Sequence, residues 1–126
     1  MTRKVVVGTQ VTSSGPYSHA VDSGDYVFFS GQTAYNALDY TGEKLDITEQ
    51  TKKCFAHLQN VMDETELTFD DVVKVNVYLT SMQHFKAMNA VYEQAFAAPY
   101  PARTCVAVLE LPLGADVEIE CIAKKS

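Results

Sequence analysis

The apolar positions of this chain recur with two different periods, which predicts both strands and helices. Period two is clearest in residues 72–80, where we expect one face to carry Val73, Val75, Val77 and Leu79 and the other Lys74, Asn76 and Tyr78. Aromatic and β-branched residues predict further strands at residues 5–7, 19–21, 26–30, 102–109 and 116–123. The last two strands are joined through Leu-Pro-Leu-Gly, and this predicts a hairpin.

Two segments have the spacing of amphipathic helices. Asp46 followed by Glu49 resembles a capping box and predicts the start of the first helix, which should end near Glu66. Its apolar stripe consists of Cys54, Phe55, Leu58, Val61 and Met62. Ser81 is expected to cap the second helix, and prolines end it after a stripe of Phe85, Met88, Tyr92 and Phe96.

The predicted order of elements is β-β-β-α-β-α-β-β, in a single domain over residues 1–126. It indicates an α+β fold in which two helices cover one face of a mixed sheet of about six strands. The other face is left with Asn76, Tyr78 and Glu118. An uncovered, partly apolar sheet face usually finds a partner, so we expect the chain to oligomerise.

Composition excludes several classes of protein. The 126 residues are 47% hydrophobic and 21% charged, which is typical of a globular domain and not of a disordered chain. Ten basic residues against 16 acidic ones give a net charge of −6, which argues against a nucleic-acid partner. No apolar run has the length of a membrane helix, and the N-terminal apolar segment is too short for a signal peptide. We therefore expect a cytoplasmic protein with no membrane partner.

Arg103 is the first candidate for chemistry, because it is one of only two arginines and leads into an apolar strand. An unpaired cation there is costly, so Arg103 must be paired or face a polar cleft. A hairpin turn between Leu111 and Pro112 sets Arg103 opposite Glu120 and Cys105 opposite Glu118, with all four on one sheet face. An internal salt bridge and an anionic ligand remain equally open for Arg103 on this pattern.

The other polar and thiol residues have ordinary structural explanations when taken alone. Asn89 fits an exposed helix amide, and Tyr17, after Gly-Pro, fits a loop anchor. The three cysteines, Cys54, Cys105 and Cys121, are expected to be reduced thiols. The histidines are too scattered to nominate a base, and His57 and His84 are expected at the helix surface or at the edge of an apolar stripe. Metal-ligand spacings, phosphate-binding glycine loops and a nucleophile elbow do not occur in the sequence.

Several segments together resemble the Rid family of reactive intermediate (enamine/imine) deaminases, also called YjgF and formerly L-PSP endoribonucleases or translation inhibitors. They are Gly-Pro-Tyr-Ser-His-Ala-Val from residue 15, Phe-Ser-Gly-Gln from 29, Val-Lys-Val-Asn-Val-Tyr-Leu from 73, Asn-Ala-Val-Tyr-Glu from 89, Pro-Ala-Arg-Thr-Cys-Val from 101 and Val-Glu-Ile-Glu-Cys-Ile-Ala from 117. The resemblance covers essentially the whole chain. It implies a chorismate-mutase-like α+β fold and a homotrimer with clefts between subunits.

The resemblance also implies a reaction, the cofactor-independent hydrolysis of 2-imino acids, such as those derived from 2-aminoacrylate, to 2-keto acids and ammonia. Arg103 would clamp the substrate carboxylate, and Glu118 would hold the attacking water. Further substrate contacts are implied for the Gly31 N–H, the Cys105 carbonyl and the side chains of Tyr17 and Asn89, with Tyr17 from the neighbouring subunit. No metal is implied.

Departures from the family pattern bear on substrate size. His19 stands where the family usually has Gln, and Tyr35 and Tyr40 add aromatic rings to the loop at 34–44. Three functions stay open: the deaminase, a non-catalytic trimeric module that binds small carboxylates such as 2-keto acids, and an endoribonuclease. The acidic charge balance disfavours the last of these.

Overall fold

The computed structural model describes residues 2–36 and 40–126. In chain order the elements are β1 (Lys4–Val6), β2 (Ala20–Asp22), β3 (Tyr26–Gln32), α1 (Ile47–Met62), β4 (Val72–Leu79), α2 (Phe85–Ala95), β5 (Ala102–Ala107) and β6 (Val117–Lys124). This confirms the predicted order of strands and helices. The prediction about the 34–44 loop falls partly on residues 37–39, which lie outside the described residues.

The first helix begins where its sequence predicts and ends earlier. Oδ1 of Asp46 accepts a hydrogen bond from the backbone N–H of Glu49 at 2.8 Å, so Asp46 is the N-cap. The helix ends at Met62 and not near Glu66. Glu66 has a φ of 66°, in the left-handed region that a right-handed helix cannot include. Ser81 caps a 3-10 turn, Met82–His84, that leads directly into α2.

The strand order in the sheet is β1-β2-β3-β6-β4-β5. The predicted hairpin of β5 and β6 is wrong, because β5 pairs in parallel with β4 and β6 lies between β3 and β4. The physical reason is α2: a helix that connects two neighbouring strands brings the chain back in the same direction. The segment after β5 then carries the chain past β4 to its other edge, where β6 runs antiparallel to both neighbours.

Both helices pack on one face of the sheet and form the main core with it. The predicted stripe of α1 is buried, as are Met88, Tyr92 and Phe96 of the second helical segment. Val73 is an exception to the predicted alternation, since it is exposed and Val72 is buried in its place. The pairing of β4 with β6 shifts its register between Val72 and Lys74, and this shift exchanges the two faces locally.

In the part of the chain that the structure describes, no helix covers the opposite face of the sheet. As predicted, it carries Asn76, Tyr78 and Glu118, and Glu120 lies beside them. Tyr26, Phe28 and Val106 are exposed apolar or aromatic residues of the strands. Across residues 2–36 and 40–126, no helix is both long enough and apolar enough to span a bilayer.

Candidate active site

Arg103 lies on β5 beneath α2, at the edge of the sheet. Its register partner on β4 is Val75, a fully buried residue, so the arginine points to the helical face of the sheet. Nη1 of Arg103 donates a hydrogen bond to Oδ1 of Asn89 on α2 at 2.6 Å. The side chain is only half-buried and lines a cavity of about 260 Å³. We call this the arginine half-site, and its lining residues are Asn89, Tyr92, Glu93, Tyr100, Pro101 and Arg103.

Two aromatic rings of α2 hold the guanidinium in place. Its central carbon lies 4.6 Å from the ring centre of Tyr92 and 5.5 Å from that of Phe85. Contacts of this kind contribute about 0.5–2 kcal/mol each, depending on how far they are desolvated. The ring of Tyr92 is itself packed on Phe96 at 4.8 Å between ring centres, so the arginine rests on the aromatic part of the core.

The guanidinium has bonding capacity left for a ligand. No aspartate or glutamate forms an ion pair with Arg103 among the residues that the structure describes, so the internal salt bridge to Glu118 or Glu120 is not formed. An arginine side chain has five N–H donors, and the structure pairs it with one side-chain acceptor, Asn89. The planar fork beside the cavity is therefore suited to binding a carboxylate with two parallel hydrogen bonds.

Glu118 lies in a second cavity, of about 250 Å³, on the helix-free side of the sheet. We call this the glutamate half-site. Its lining includes Tyr17, Gly31, Gln32, Thr33, Tyr35 and Glu118. Glu118 packs directly against the backbone of Gly31: a Cβ atom added to that glycine would lie 3.0 Å from Cδ and 3.2 Å from Oε1 of the glutamate. The observed position of the Glu118 carboxylate therefore requires a residue without a side chain at position 31.

The carboxyl group of Glu118 has the properties expected of a base. Within the described ranges, no side chain or backbone group forms a hydrogen bond or ion pair with it. Burial, and after it the negative charge of Glu120, raises the pKa of Glu118 above its usual value. A carboxylate with a raised pKa and no partner can accept a proton from water more readily than an ordinary one.

Glu120 differs from Glu118 because its carboxylate already has internal partners. Oε1 of Glu120 accepts hydrogen bonds from Nδ2 of Asn76, at 3.0 Å, and from the hydroxyl of Tyr78. The bond to Glu120 raises the pKa of Tyr78 to about 12. Of the two acids that the sequence could not separate, Glu118 is the one that is available for a water molecule.

The structure does not bring Arg103 and Glu118 together within one chain. Glu118 is paired with Tyr78 on the helix-free face, whereas Arg103 points to the helical face. The prediction that both residues lie on one sheet face depended on the hairpin, and it is wrong because β5 and β6 do not pair. The two residues are also two strands apart, or about 10 Å. The carboxylate carbon of a 2-imino acid is bonded directly to the imine carbon, at about 1.5 Å, so one small molecule cannot contact both residues of the same chain.

The remaining predicted residues divide between the two half-sites. Asn89 belongs to the arginine half-site as the hydrogen-bond partner of Arg103, while Tyr17 and Gly31 belong to the glutamate half-site. Cys105 lies on β5 two residues after Arg103 and packs partly against the core. All three thiols are free, and burial raises the pKa of each, to about 12 for Cys121. The role of the Cys105 carbonyl stays a prediction.

Sequence reasoning gave no role to His57, which is buried and supports the glutamate half-site. Nδ1 of His57 lies 2.9 Å from the carbonyl oxygen of Thr33, and Nε2 lies 3.3 Å from Nδ2 of Asn36. The carbonyl can only accept, so Nδ1 carries the proton and Nε2 accepts from the amide. The imidazole therefore connects α1 to the segment 33–36, which lines the cavity of Glu118. A histidine next to the apolar stripe of the helix was the only sequence signal for this role.

Comparison with known proteins connects this geometry to a family. A family model described as Endoribonuclease L-PSP matches residues 7–125. The mitochondrial protein mmf1 of Schizosaccharomyces pombe is 36% identical over 127 residues, which cover 97% of this chain and 76% of that protein. A 2-iminobutanoate/2-iminopropanoate deaminase of Dermatophagoides farinae is 36% identical over 124 residues, with 97% of each chain covered.

A solved structure has the same fold over nearly the full length. The crystal structure of E. coli TdcF with bound serine superposes with a TM-score of 0.87 and 32% identity, over 98% of this chain and 99% of that chain. The six-stranded mixed sheet with two helices is therefore shared with this relative. Because the family model spans nearly the entire sequence, the chain belongs to the Endoribonuclease L-PSP family, which is the Rid (YjgF) family that its motifs resemble.

Proposed function

We propose that this protein is a 2-iminobutanoate/2-iminopropanoate deaminase, which hydrolyses imines released by pyridoxal-phosphate enzymes to 2-keto acids and ammonia. The observation that carries the proposal is the guanidinium of Arg103, which faces a cavity and is held by Asn89 and Tyr92 without an acidic partner in the described chain. The relative from Dermatophagoides farinae that bears this name is similar over nearly its whole length and supports the same assignment.

In the proposed reaction, Arg103 binds the substrate carboxylate through two hydrogen bonds, and the Gly31 N–H adds a third. Glu118 accepts a proton from a water molecule while the water oxygen bonds to the imine carbon. The resulting carbinolamine takes up at nitrogen the proton that Glu118 accepted and expels ammonia, while its hydroxyl group gives its own proton back to Glu118, which leaves the keto group. The Cys105 carbonyl accepts the N–H of the protonated imine, so the carbon stays electrophilic and no cofactor or metal is needed.

The proposal includes a homotrimer in which each site lies between two subunits. One subunit contributes Arg103, Asn89 and Cys105, and its neighbour contributes Glu118, Gly31 and Tyr17. Two observations support this arrangement: the half-sites are incomplete and lie on opposite faces of one chain, and the helix-free face exposes Tyr26, Phe28 and Val106. Such a partly apolar face is commonly covered by another subunit.

A coupled assay tests the activity directly. A serine dehydratase releases 2-aminoacrylate, and pyruvate is followed as the product. Under the proposal, adding this protein accelerates the formation of pyruvate beyond the uncatalysed hydrolysis, at unchanged dehydratase activity. If the rate of pyruvate formation did not change over a hundredfold range of protein concentration, the deaminase function would be rejected. We expect the activity in the cytoplasm, with no nucleic-acid or membrane partner.

A non-catalytic carboxylate-binding module is the second candidate. The arginine half-site is formed within one chain, and the solved structure of TdcF is described as containing bound serine, a small carboxylate. A binding module of this kind would take up 2-ketobutyrate in calorimetry and would show no turnover in the coupled assay. An endoribonuclease, the activity named by the family model, is not favoured because acidic residues outnumber basic ones 16 to 10.

Replacing Gly31 with alanine is expected to lower kcat about 10-fold to 100-fold with little effect on folding. The new methyl group would lie about 3.0 Å from Cδ of Glu118, which forces the carboxylate away from its position. Gly15→Ala is the matched control, because apart from its two chain neighbours the nearest atom to its Cβ would be a ring carbon of Tyr17 at 3.9 Å, an ordinary contact distance. Equal kcat values for the Gly31 variant and the wild type would show that the position of Glu118 is not critical.

A further inference from the structure

Glu120 is the second acid of β6 on the helix-free face, and the structure gives it a specific set of partners. Both Nδ2 of Asn76 and the hydroxyl of Tyr78 donate to the same atom, Oε1 of Glu120. Asn76 is its register partner on β4, so that bond follows from the pairing of the strands. Two donors on one oxygen hold the carboxyl group of Glu120 in a defined position near the glutamate half-site.

The bond from Tyr78 is less expected, because Tyr78 is the register partner of Glu118. Its hydroxyl nevertheless donates to Glu120 and leaves Glu118 without a hydrogen-bond donor among the described residues. The two carboxyl groups are two residues apart on one strand, which separates them by about 6.6 Å along it. The pair is therefore asymmetric: one acid takes both donors, and the other keeps its lone pairs for a water molecule.

We propose that Glu120, with the donors Asn76 and Tyr78, is a positioning residue that makes Glu118 the stronger base of the pair. The negative charge of Glu120 opposes a second negative charge on Glu118 and so favours the protonated form of Glu118. A base that holds its proton more firmly, while still ionised at the working pH, abstracts a proton from water more effectively. The direction of the pKa shift of Glu118 agrees with this role, although burial contributes more to it.

Within one chain, the other groups that face Glu118 do not supply a compensating charge. Tyr17 and Tyr35 line the same cavity, β3 presents the uncharged Gly31, and α1 carries the thiol of Cys54, whose pKa is raised by burial and then by the charge of Glu118. No lysine, arginine or histidine within residues 2–36 and 40–126 forms an ion pair with Glu118. Within one chain, Glu120 is thus the charged group that we expect to raise the proton affinity of Glu118, and Arg103 of the neighbouring subunit acts equally in the wild type and in Glu120→Gln.

The experiment compares Glu120→Gln with the wild type, using the assembled protein in both cases. Side-chain carboxyl carbons are followed by NMR between pH 3 and 9, and the pH profile of kcat/KM is measured in the coupled assay. We expect Glu118 to titrate about 0.5–1.5 pH units lower in the variant, and the acid limb of the profile to move by the same amount. Glu64→Gln is the control, since it removes an exposed negative charge near the other end of β6 and should move neither.

The proposal would be overturned if Glu118 titrated at the same pH in the wild type and in Glu120→Gln. It would also be overturned if Glu64→Gln moved the titration of Glu118 by as much as Glu120→Gln does. If Glu120→Gln does not fold, the wild-type titration alone decides, because a coupled pair gives Glu118 two inflections and an isolated acid gives one. The inference rests on the deaminase function for its catalytic meaning. The NMR titration does not require activity, so failure of the deaminase assay and failure of this inference are separate results.

Discussion

Replacing Arg103 with alanine is expected to lower kcat/KM for the imine of 2-aminoacrylate by about 10²-fold to 10⁴-fold. Each charge-assisted hydrogen bond to the carboxylate is worth about 1.5–3 kcal/mol, and the fork makes two, which gives about 3–6 kcal/mol. A tenfold change in rate corresponds to about 1.4 kcal/mol. Affinity for 2-ketobutyrate, measured by calorimetry, should fall in parallel, since this 2-keto acid carries the same carboxylate.

The loss is expected to come from the fork geometry and not from charge alone. Arg103→Lys keeps the positive charge over Tyr92 but can make only single, unoriented contacts, so its kcat/KM should lie between those of the wild type and the alanine variant. Arg3→Ala is the matched control, because Arg3 is the other arginine and is exposed. If the alanine variant at position 103 kept a third of the wild-type kcat/KM, Arg103 could not be the residue that binds the substrate carboxylate.

The sequence predicts the elements of this fold well because their signals are local. The cap at Asp46, the buried stripe of α1 and the alternation along β4 each depend on residues a few positions apart. Strand pairing depends on contacts distant in the sequence, and the hairpin was inferred from the short segment between β5 and β6. The competing signal was the helix between β4 and β5, which fixes those two strands as parallel neighbours.

The sequence names five residues that line the two half-sites, namely Tyr17, Gly31, Asn89, Arg103 and Glu118, but it does not predict their arrangement. Family motifs pointed to Arg103 and Glu118, and the hairpin then placed them on one face of one chain, which the observed register excludes. The support of Arg103 was available in the sequence: Phe85, Asn89 and Tyr92 are four and three residues apart and so share one face of a helix. If Arg103 had been placed next to this face of the helix, stacking of the guanidinium on the two aromatic rings would have been the expected contact.

His57 shows a limit of a different kind. A histidine beside an apolar stripe fits a half-exposed position as well as a buried one, and the sequence gives no sign of its partners. The structure buries it because the carbonyl of Thr33 and the amide of Asn36 satisfy both ring nitrogens. Those partners come from a loop more than 20 residues away, so no periodicity in α1 could identify them.

Mixing two inactive variants is expected to restore activity if each site uses Arg103 of one subunit and Glu118 of the next. Glu118→Gln should lower kcat about 10²-fold to 10⁴-fold, because the base is lost. The same variant should also have a higher Tm at neutral pH. Folding raises the pKa of the Glu118 carboxyl group, so this group destabilises the folded protein once the pH exceeds that pKa and the group ionises, and glutamine removes this cost. A loss of activity with a higher Tm separates catalysis from unfolding.

Co-expression of Arg103→Ala with Glu118→Gln should give mixed trimers in which about one quarter of the sites pair an intact Arg103 with an intact Glu118, assuming random closed assembly. The mixture should therefore recover roughly a quarter of wild-type kcat, although each variant alone has about 1% or less. Purification through different tags on the two variants, followed by the coupled assay, measures this recovery. If both residues acted within one chain, the mixture would have no intact site, and its activity would not exceed the average of the two variants.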